Sequence, residues 1–367
     1  MHGQLARTRR VRILAAAIAA AACVAAFVTG ATTAQAGKSE PKSSSIKLQN
    51  EFDHIGAEVH SLTSGGRTSH YIDEGRPGQR AVVFIGGQGT SLEAFQLSEF
   101  ARTSREILGL RVISVERNGF GESELDLNLG YDDYSAEVLA VLDHLDVDDF
   151  VIASISGGGA YAAHLAAEVP DRVISLHAAA STDSTLPNRT PRNCSLTFEQ
   201  RNQSNLFWYE NPKAWWGVPG SPVLAVPGWQ ATAYLDAVRS FHLGGGPVDP
   251  SPLAHEGELP CLPDAIVDPA QITSPTYLYW GGADTTVPVS VMTHWQDALP
   301  NVVRATVYPG EGHTVQYRHW DQILVDMAGH TDQTVVCKNG QTKTVPNSQA
   351  ETVVADGATL GLCAWTP

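Results

Sequence analysis

One stretch constrains the fold more than any other. Phe150–Ile155 is a nearly continuous apolar run, it passes into Ser154-Ile155-Ser156-Gly157-Gly158, and Tyr161–Ala167 then has helical composition. A short run that is apolar at almost every position predicts a strand buried on both faces, as in parallel sheets covered by helices. The small residues at 154, 157 and 158 let the strand turn sharply into the helix. Such an elbow holds one side chain, here Ser156, exposed at the carboxyl end of the strand. Ser154 stands where the G-x-S-x-G pattern has its first glycine. A glycine-rich helix entrance that happens to carry a serine would read the same way, so the rest of the chain must decide.

The flanking sequence repeats this rhythm. Ala57–Leu62 and Thr68–Ile72 alternate about Ser64-Gly65-Gly66, which predicts a β-hairpin. Ala81–Ile85 is a buried strand ending at Gly86-Gly87-Gln88-Gly89, with helix-like sequence to Leu108. Arg111–Val115 is a strand, Tyr134–Leu145 an amphipathic helix, and Arg172–His177 a strand after the helix that closes at Glu168. The alternation stops at Ser181 and resumes with the strand Thr276–Trp280, the helix Val289–Leu299, the strand Ala305–Tyr308 and one helix over Thr314–Met327. Strand and helix in alternation predict an α/β fold: a mostly parallel central sheet with helices on both faces. Its core is expected over 51–181 and 273–330, interrupted by a cap insertion at 182–272. The insertion is rich in Pro, Gly, Asn and Trp, and Thr232–Phe241 is its one clear helix-like stretch.

Both ends differ from this core. Arg7, Arg9, Arg10 and Arg12 precede an apolar region from Ile13 to Val28, and Ala34-Gln35-Ala36 offers a cleavage site, so residues 1–36 read as a signal peptide and the mature chain as secreted. Thr8-Arg9-Arg10-Val11 leaves twin-arginine export open beside the general route. No later segment has the length and apolarity of a membrane span. Residues 37–50 are polar and predict a flexible linker. At the other end, 331–367 predicts a small β appendage, with a hairpin of Thr334–Cys337 and Thr342–Val345 about Asn339-Gly340.

Removing 1–36 takes away four arginines and no acidic residue, so the formal charge falls from −15 to −19. That balance argues against a nucleic-acid partner and for plain solubility. Cys194, Cys261, Cys337 and Cys363 remain, an even number in an exported chain, which predicts two disulfides in one of three connectivities. Neighbour pairing would give the cap one bridge and the C-terminal appendage the other, Cys337–Cys363. None of the spacings suits a metal, and nothing in the chain calls for an organic cofactor.

Three groups stand at the carboxyl ends of predicted strands: Ser156, then Asp284 in Gly281-Gly282-Ala283-Asp284, then His313 in Gly310-Glu311-Gly312-His313. Strand ends of an open parallel sheet share one edge, so the three can converge. A serine hydroxyl needs a base, and that base needs a group to fix its tautomer. His313 and Asp284 fit those roles. Asp183, just past the strand Arg172–His177, is the alternative acid. His144, His164, His177, His294 and His319 lack such a setting and read as structural. Developing negative charge would need two backbone donors, and the N–H groups of Gly157 and Gln88 are expected to supply them, with Gly87 the next candidate.

These motifs together resemble the α/β-hydrolase fold serine hydrolases, of the capped esterase and aminopeptidase-like kind, over about residues 55–330. Arg117-Asn118-Gly119-Phe120-Gly121-Glu122-Ser123 resembles that family's R-x-G-x-G-x-S turn. The chain departs from the family where Gly86-Gly87 replaces the usual His-Gly and Ser154 the elbow glycine. The serine at 156 argues against the aspartate-nucleophile relatives, the haloalkane dehalogenases and epoxide hydrolases.

The resemblance implies hydrolysis of a small-molecule ester or a short peptide. The cap carries Phe207-Trp208-Tyr209, Trp215-Trp216, Trp229, Tyr234 and Phe241, which could line an apolar pocket or form the cap's own core. It also carries Glu210, Glu256, Glu258 and Asp264; one of these facing the pocket would suit a substrate amine, as in proline iminopeptidases. A wholly apolar pocket would suit a carboxylic ester. Other triad chemistries and a non-catalytic hydrolase-fold binding protein remain as further readings, since fold does not fix function. Nothing in the sequence gives the oligomeric state.

Overall fold

The computed structural model describes residues 45–48, 57–92, 94–95, 101–189, 193–210 and 249–363. The expected signal peptide and the helix expected over 232–241 lie outside them.

Eight strands form one sheet: β1 (Val59–Ser64), β2 (Arg67–Glu74), β3 (Arg80–Ile85), β4 (Leu110–Val115), β5 (Phe150–Ile155), β6 (Val173–Ala179), β7 (Thr276–Gly281) and β8 (Val302–Tyr308). Their order across the sheet is β1-β2-β4-β3-β5-β6-β7-β8. The β1–β2 hairpin joins antiparallel, β2 against β4. Every other pair, from β4 through β8, is parallel. The first helix, α1 (Arg102–Ile107), leads into β4.

The period-2 geometry of a strand divides each central one between two cores. Val83, Ile85, Phe150 and Ile152 pack on one side with Tyr134 and Val138 of α2 (Tyr131–His144), Ala162 of α3 (Gly158–Glu168) and Val291 of α6 (Val289–Ala298). Val82, Phe84, Val151 and Ala153 pack on the other with Tyr317 of α7 (Val315–Arg318) and with Ile323, Leu324 and Met327 of α8 (Trp320–Met327). This two-sided burial is why β5 reads as a nearly continuous apolar run. At the sheet's edge β8 is only partly buried, and Arg304 and Thr306 interrupt its apolar residues.

The described cap residues include α4 (Phe198–Glu210) and α5 (Ser251–Glu256). The Cys194–Cys261 disulfide ties the segment before α4 to the one after α5. At the C-terminus, β9 (Gln333–Lys338) pairs antiparallel with both β10 (Gln341–Pro346) and β11 (Thr359–Leu360). Asn339 (φ 55°) and Gly340 (φ 72°) make the expected turn, in which both central residues take the left-handed region. Cys337 and Cys363 are bonded, so both disulfides join neighbours in sequence.

Two expectations need correction. Residues 45–48 do not behave as a linker: Ile46 N–H donates to Thr344 Oγ1 at 2.9 Å, Lys47 bridges Lys343, and Leu48 is buried with Val325 and Val335. The edge of β10 offers unpaired backbone groups, and pairing with them brings Leu48 onto an apolar surface. The single helix expected over Thr314–Met327 is two, α7 and α8, broken at His319 (φ −116°, ψ 22°). There the ring hydrogen-bonds Glu311 at 2.9 Å and stacks on Tyr308, contacts a continuous helix would not supply. The C-terminal appendage also contains a helix, α9 (Asn347–Ala355), none of whose residues is buried and whose sequence therefore lacks a strong apolar stripe.

Candidate active site

The carboxyl ends of β5, β7 and β8 bring the three expected side chains together. Ser156 follows β5 directly and takes φ +50°, a conformation that costs a non-glycine residue energy and is kept by its surroundings. Ser156 N–H donates to Ala179 O at 3.3 Å, and Ser156 O accepts from Gly159 N–H at 3.2 Å and Thr182 N–H at 2.8 Å. The glycines after it are required by close approach. A Cβ on Gly158 would stand 2.5 Å from the Ile85 carbonyl oxygen, and one on Gly159 2.3 Å from that of Thr182. Ser154 is accommodated where a glycine is usual because its hydroxyl finds Ser181 Oγ at 3.0 Å; Ser181 Oγ in turn donates to Ser154 O at 2.9 Å.

His313 Nε2 lies 3.0 Å from Ser156 Oγ, and His313 Nδ1 lies 2.8 Å from Asp284 Oδ2. The other oxygen of Asp284 accepts the N–H groups of Thr286 at 2.8 Å and Val287 at 2.9 Å. The Asp284 side chain is fully buried, so these bonds replace the water it gave up. With the carboxylate on Nδ1, the ring keeps its proton there and turns the Nε2 lone pair toward the serine.

Gln88 and Gly157 meet beside the serine. A Cβ on Gly157 would stand 2.7 Å from Gln88 N, and one on Gly87 would stand 3.4 Å from Ser156 Cβ. The N–H groups expected as donors thus belong to two segments in tight contact at the serine.

Asp183, the alternative acid, serves elsewhere. It binds His294 Nδ1 at 2.5 Å and Arg189 Nε at 2.8 Å, and not His313. Burial pushes its carboxyl above the ordinary range, opposed by Arg189 and His294. The histidines read as structural include His164, held by Asp132 and Ala265 O, and His177, buried between Ser175 and Tyr279.

A cavity of about 400 Å³ opens at Ser156, Gly157 and Gln88. Tyr131 and Tyr161 line it from α2 and α3, Arg201 and Asn205 from α4, and Glu256 from the end of α5. Of the cap aromatics, Phe207 is half exposed and packs edge-to-face on Trp208, and neither lines the cavity. Trp215, Trp216, Trp229, Tyr234 and Phe241 lie outside the described residues. Of the four cap acids, Glu210 and Asp264 are exposed and only Glu256 faces the cavity. Glu256 is not free: Arg117 Nη1 lies 2.5 Å from its Oε1, and Gly89 N–H donates to its Oε2 at 2.7 Å. Burial raises the Glu256 carboxyl above its usual range, against the pull of Arg117. The two tyrosines and Arg117 escaped sequence reasoning as parts of the site; only the R-x-G-x-G-x-S turn drew attention to Arg117.

Fold and site together define a hydrolase built on an α/β sheet. The sequence profile of the alpha/beta hydrolase family matches residues 82–326, and the chain belongs to that family. Solved structures agree on the fold. A hydrolase from Pseudomonas aeruginosa superposes with a TM-score of 0.58 at 18% identity, covering 74% of this chain and 98% of that one. The 2-hydroxy-6-oxo-6-phenylhexa-2,4-dienoate hydrolase of a Rhodococcus strain gives 0.53 at 18% identity, covering 74% and 99%. An epoxide hydrolase from Vigna radiata gives 0.57 at 14% identity, covering 75% and 97%. A curated relative, the dihydrolipoyllysine-residue acetyltransferase component of an acetoin cleaving system from Pseudomonas putida, is 36% identical over 118 residues. That match spans 32% of this chain and 31% of the relative's length.

Proposed function

We propose that this protein is an exported serine hydrolase that cleaves carboxylic esters through an acyl-enzyme. The observation that carries the reading is the hydrogen-bonded line from Ser156 Oγ through His313 to Asp284, at 3.0 and 2.8 Å, with the serine held at φ +50°. In this reading His313 Nε2 takes the Ser156 proton as Oγ attacks the ester carbonyl. The carbonyl oxygen gains charge and is met by the N–H groups of Gln88 and Gly157. His313 then gives its proton to the leaving alkoxide, so an alcohol departs and the acyl group stays on Ser156. Water enters, gives its proton to His313 and its oxygen to the acyl carbon; the proton returns to Ser156 Oγ and the acid is released. Asp284 stabilises the imidazolium in both halves.

The charges around the cavity favour an ester over an aminopeptidase substrate. Asp183 and Glu256 line it, and each is already paired, with Arg189 and Arg117. Arg201 lines it too, buried, with no carboxylate within ion-pair distance among the described residues. Among the described residues, a substrate ammonium would meet an unpaired cation and no free acid. Export is supported by the N-terminal sequence and by two disulfides, which persist in oxidising compartments.

A parallel screen of p-nitrophenyl esters against aminoacyl-p-nitroanilides tests the choice. Turnover of the esters and none of the anilides is expected. Preferential release of p-nitroaniline from a free N-terminal residue would overturn the ester reading in favour of an aminopeptidase.

A further inference from the structure

The peptide unit joining Gly87 to Gln88 is held unusually firmly for a loop. Its carbonyl oxygen, on Gly87, accepts three donors: Arg117 Nη2 at 2.7 Å, Thr90 Oγ1 at 2.6 Å and Thr90 N–H at 3.3 Å. Arg117 Nη2 also donates to the Thr90 carbonyl and, at 3.1 Å, approaches Thr90 Oγ1. One residue further on, Gly89 N–H donates to Glu256 Oε2 at 2.7 Å, while Glu256 Oε1 binds Arg117 Nη1 at 2.5 Å. Arg117 and Glu256 are 3% and 5% exposed, and the Arg117 guanidinium lies over the rings of Phe120 and Tyr161. The loop 87–90 is therefore gripped from the sheet by Arg117 and from the cap by Glu256.

A buried ion pair is a weak source of stability, because the cost of dehydrating both charges offsets their attraction. What this pair does supply is direction. In a trans peptide the C=O and N–H lie in one rigid plane and point to opposite sides. Donors that fix Gly87 O on one side fix the Gln88 N–H on the other. Gln88 N is among the atoms packed against Gly157 at the elbow, beside Gln88 Cα and Cβ. A guanidinium on the carbonyl also polarises the whole peptide group and strengthens its N–H as a donor.

We propose that Arg117, Thr90 and the cap residue Glu256 are positioning residues that aim and polarise the Gln88 N–H for the oxyanion. The proposal rests on the serine-hydrolase reading above and adds to it a second use of the cap. Besides walling the cavity, the cap contributes through α5 a carboxylate that holds the oxyanion loop. It also gives the Glu256 carboxylate a role other than binding a substrate amine, since both of its oxygens are occupied.

The test uses the full mature chain and the variants Thr90→Val, Thr90→Ser, Arg117→Lys and Glu256→Gln. Thr90→Val is nearly isosteric and removes one donor to Gly87 O without disturbing the ion pair, so it remains informative if a charge variant fails to fold. Four quantities are read: kcat and KM on a p-nitrophenyl ester, affinity for an alkyl boronic acid whose tetrahedral adduct places an oxygen in the oxyanion position, and amide exchange over residues 86–92 by mass spectrometry. Loss of a whole oxyanion donor costs about 10²–10³-fold, so a misaimed one should cost about 10-fold or more in kcat with KM within about twofold. Thr90→Val and Arg117→Lys are expected to show this fall in kcat, a parallel fall in boronate affinity, and faster exchange in the loop. Glu256→Gln keeps an acceptor for Gly89 N–H but loses the charge, and should fall between. Thr90→Ser restores the hydroxyl and should restore kcat. Folded Thr90→Val and Arg117→Lys with kcat, boronate affinity and loop exchange all like the parent protein would overturn the proposal. If the parent itself neither turns over esters nor binds the boronate, the serine-hydrolase reading fails. The exchange data then judge the grip alone, and unchanged exchange in Thr90→Val and Glu256→Gln would reject that as well.

Discussion

Asp284 grips His313 with one carboxylate oxygen, Oδ2 to Nδ1 at 2.8 Å, and is itself fixed through the other by the Thr286 and Val287 amides. The carboxylate cannot rotate without breaking two backbone bonds, so the imidazole plane is set by the turn after β7. That turn is tied back to β7 by the Trp280 indole, whose Nε1–H donates to Val287 O at 2.9 Å.

Asp284→Asn keeps the shape and removes the charge. An amide can hold the ring in the wrong tautomer, and in a comparable triad this change costs about 10⁴-fold in kcat. We expect a loss of about 10³-fold or more in kcat on p-nitrophenyl esters, with an unchanged circular dichroism spectrum. A loss below tenfold would mean that another group, such as Asp183, orients His313.

The elbow tolerates no side chain at 158. A Cβ there would stand 2.5 Å from Ile85 O and 2.6 Å from Gly86 O, both backbone atoms. Gly158→Ala must push β3 and α3 apart, and overpacking of this kind typically costs about 1–3 kcal/mol. Lower melting temperature together with lower kcat is expected. Parent-like values for both would contradict the close approach of strand and helix.

His177 gives the fold an acid limit. It is fully buried, hydrogen-bonded to Ser175 and Tyr279, and stacked on Tyr277. Burial, aided by the charges of Arg304 and Arg80, lowers its pKa from 6.5 to about 3. Between those values the unfolded chain binds a proton that the folded chain does not. Stability therefore rises with pH through that window and is lost as pH falls from 6.5 toward 3. His177→Gln should show a smaller drop in melting temperature between pH 7 and about pH 4.5 than the parent. An identical drop would place the acid sensitivity elsewhere.

The two disulfides close loops of different length, with separations of 67 residues for Cys194–Cys261 and 26 for Cys337–Cys363. Chain-entropy arguments give about 4 kcal/mol for the longer loop and about 3.5 kcal/mol for the shorter. The Cys194→Ser/Cys261→Ser pair should therefore lower the denaturation midpoint at least as much as Cys337→Ser/Cys363→Ser. It should also impair turnover more, because its bridge ties down the segments that carry Arg201 and Glu256. Greater damage from the C-terminal pair would contradict this assignment.

The core strands could be read from sequence because burial on both faces leaves runs such as Val82–Ile85 apolar at every position. Ser156, Asp284 and His313 could be read because each follows an expected strand and carries its own small-residue turn. Other parts of the site left no comparable trace. Tyr161 belongs to a segment that reads as a sheet-packing helix, Tyr131 lies just before the helix expected over Tyr134–Leu145, and only tertiary packing turns these two rings toward the cavity. Glu256 was open to reading as an amine binder; its partner, Arg117, lies 139 residues away and pairs with it only in the folded chain. The break at His319 has the same origin, since Glu311 and Tyr308 draw the ring out of helical geometry from the turn before it. Residues 45–48 look like linker because a short edge segment needs only backbone bonds and one apolar residue, Leu48, to dock.

Ser156 bears the reacting atom of the proposed chemistry, and the most direct test of its role is covalent. The protein is treated with a fluorophosphonate, digested, and the adduct located by mass spectrometry, alongside ester turnover by Ser156→Ala. We predict one adduct, on the peptide containing Ser156, and a folded Ser156→Ala protein that neither labels nor turns over ester. Labelling at another residue, or ester turnover that survives in Ser156→Ala, would contradict it.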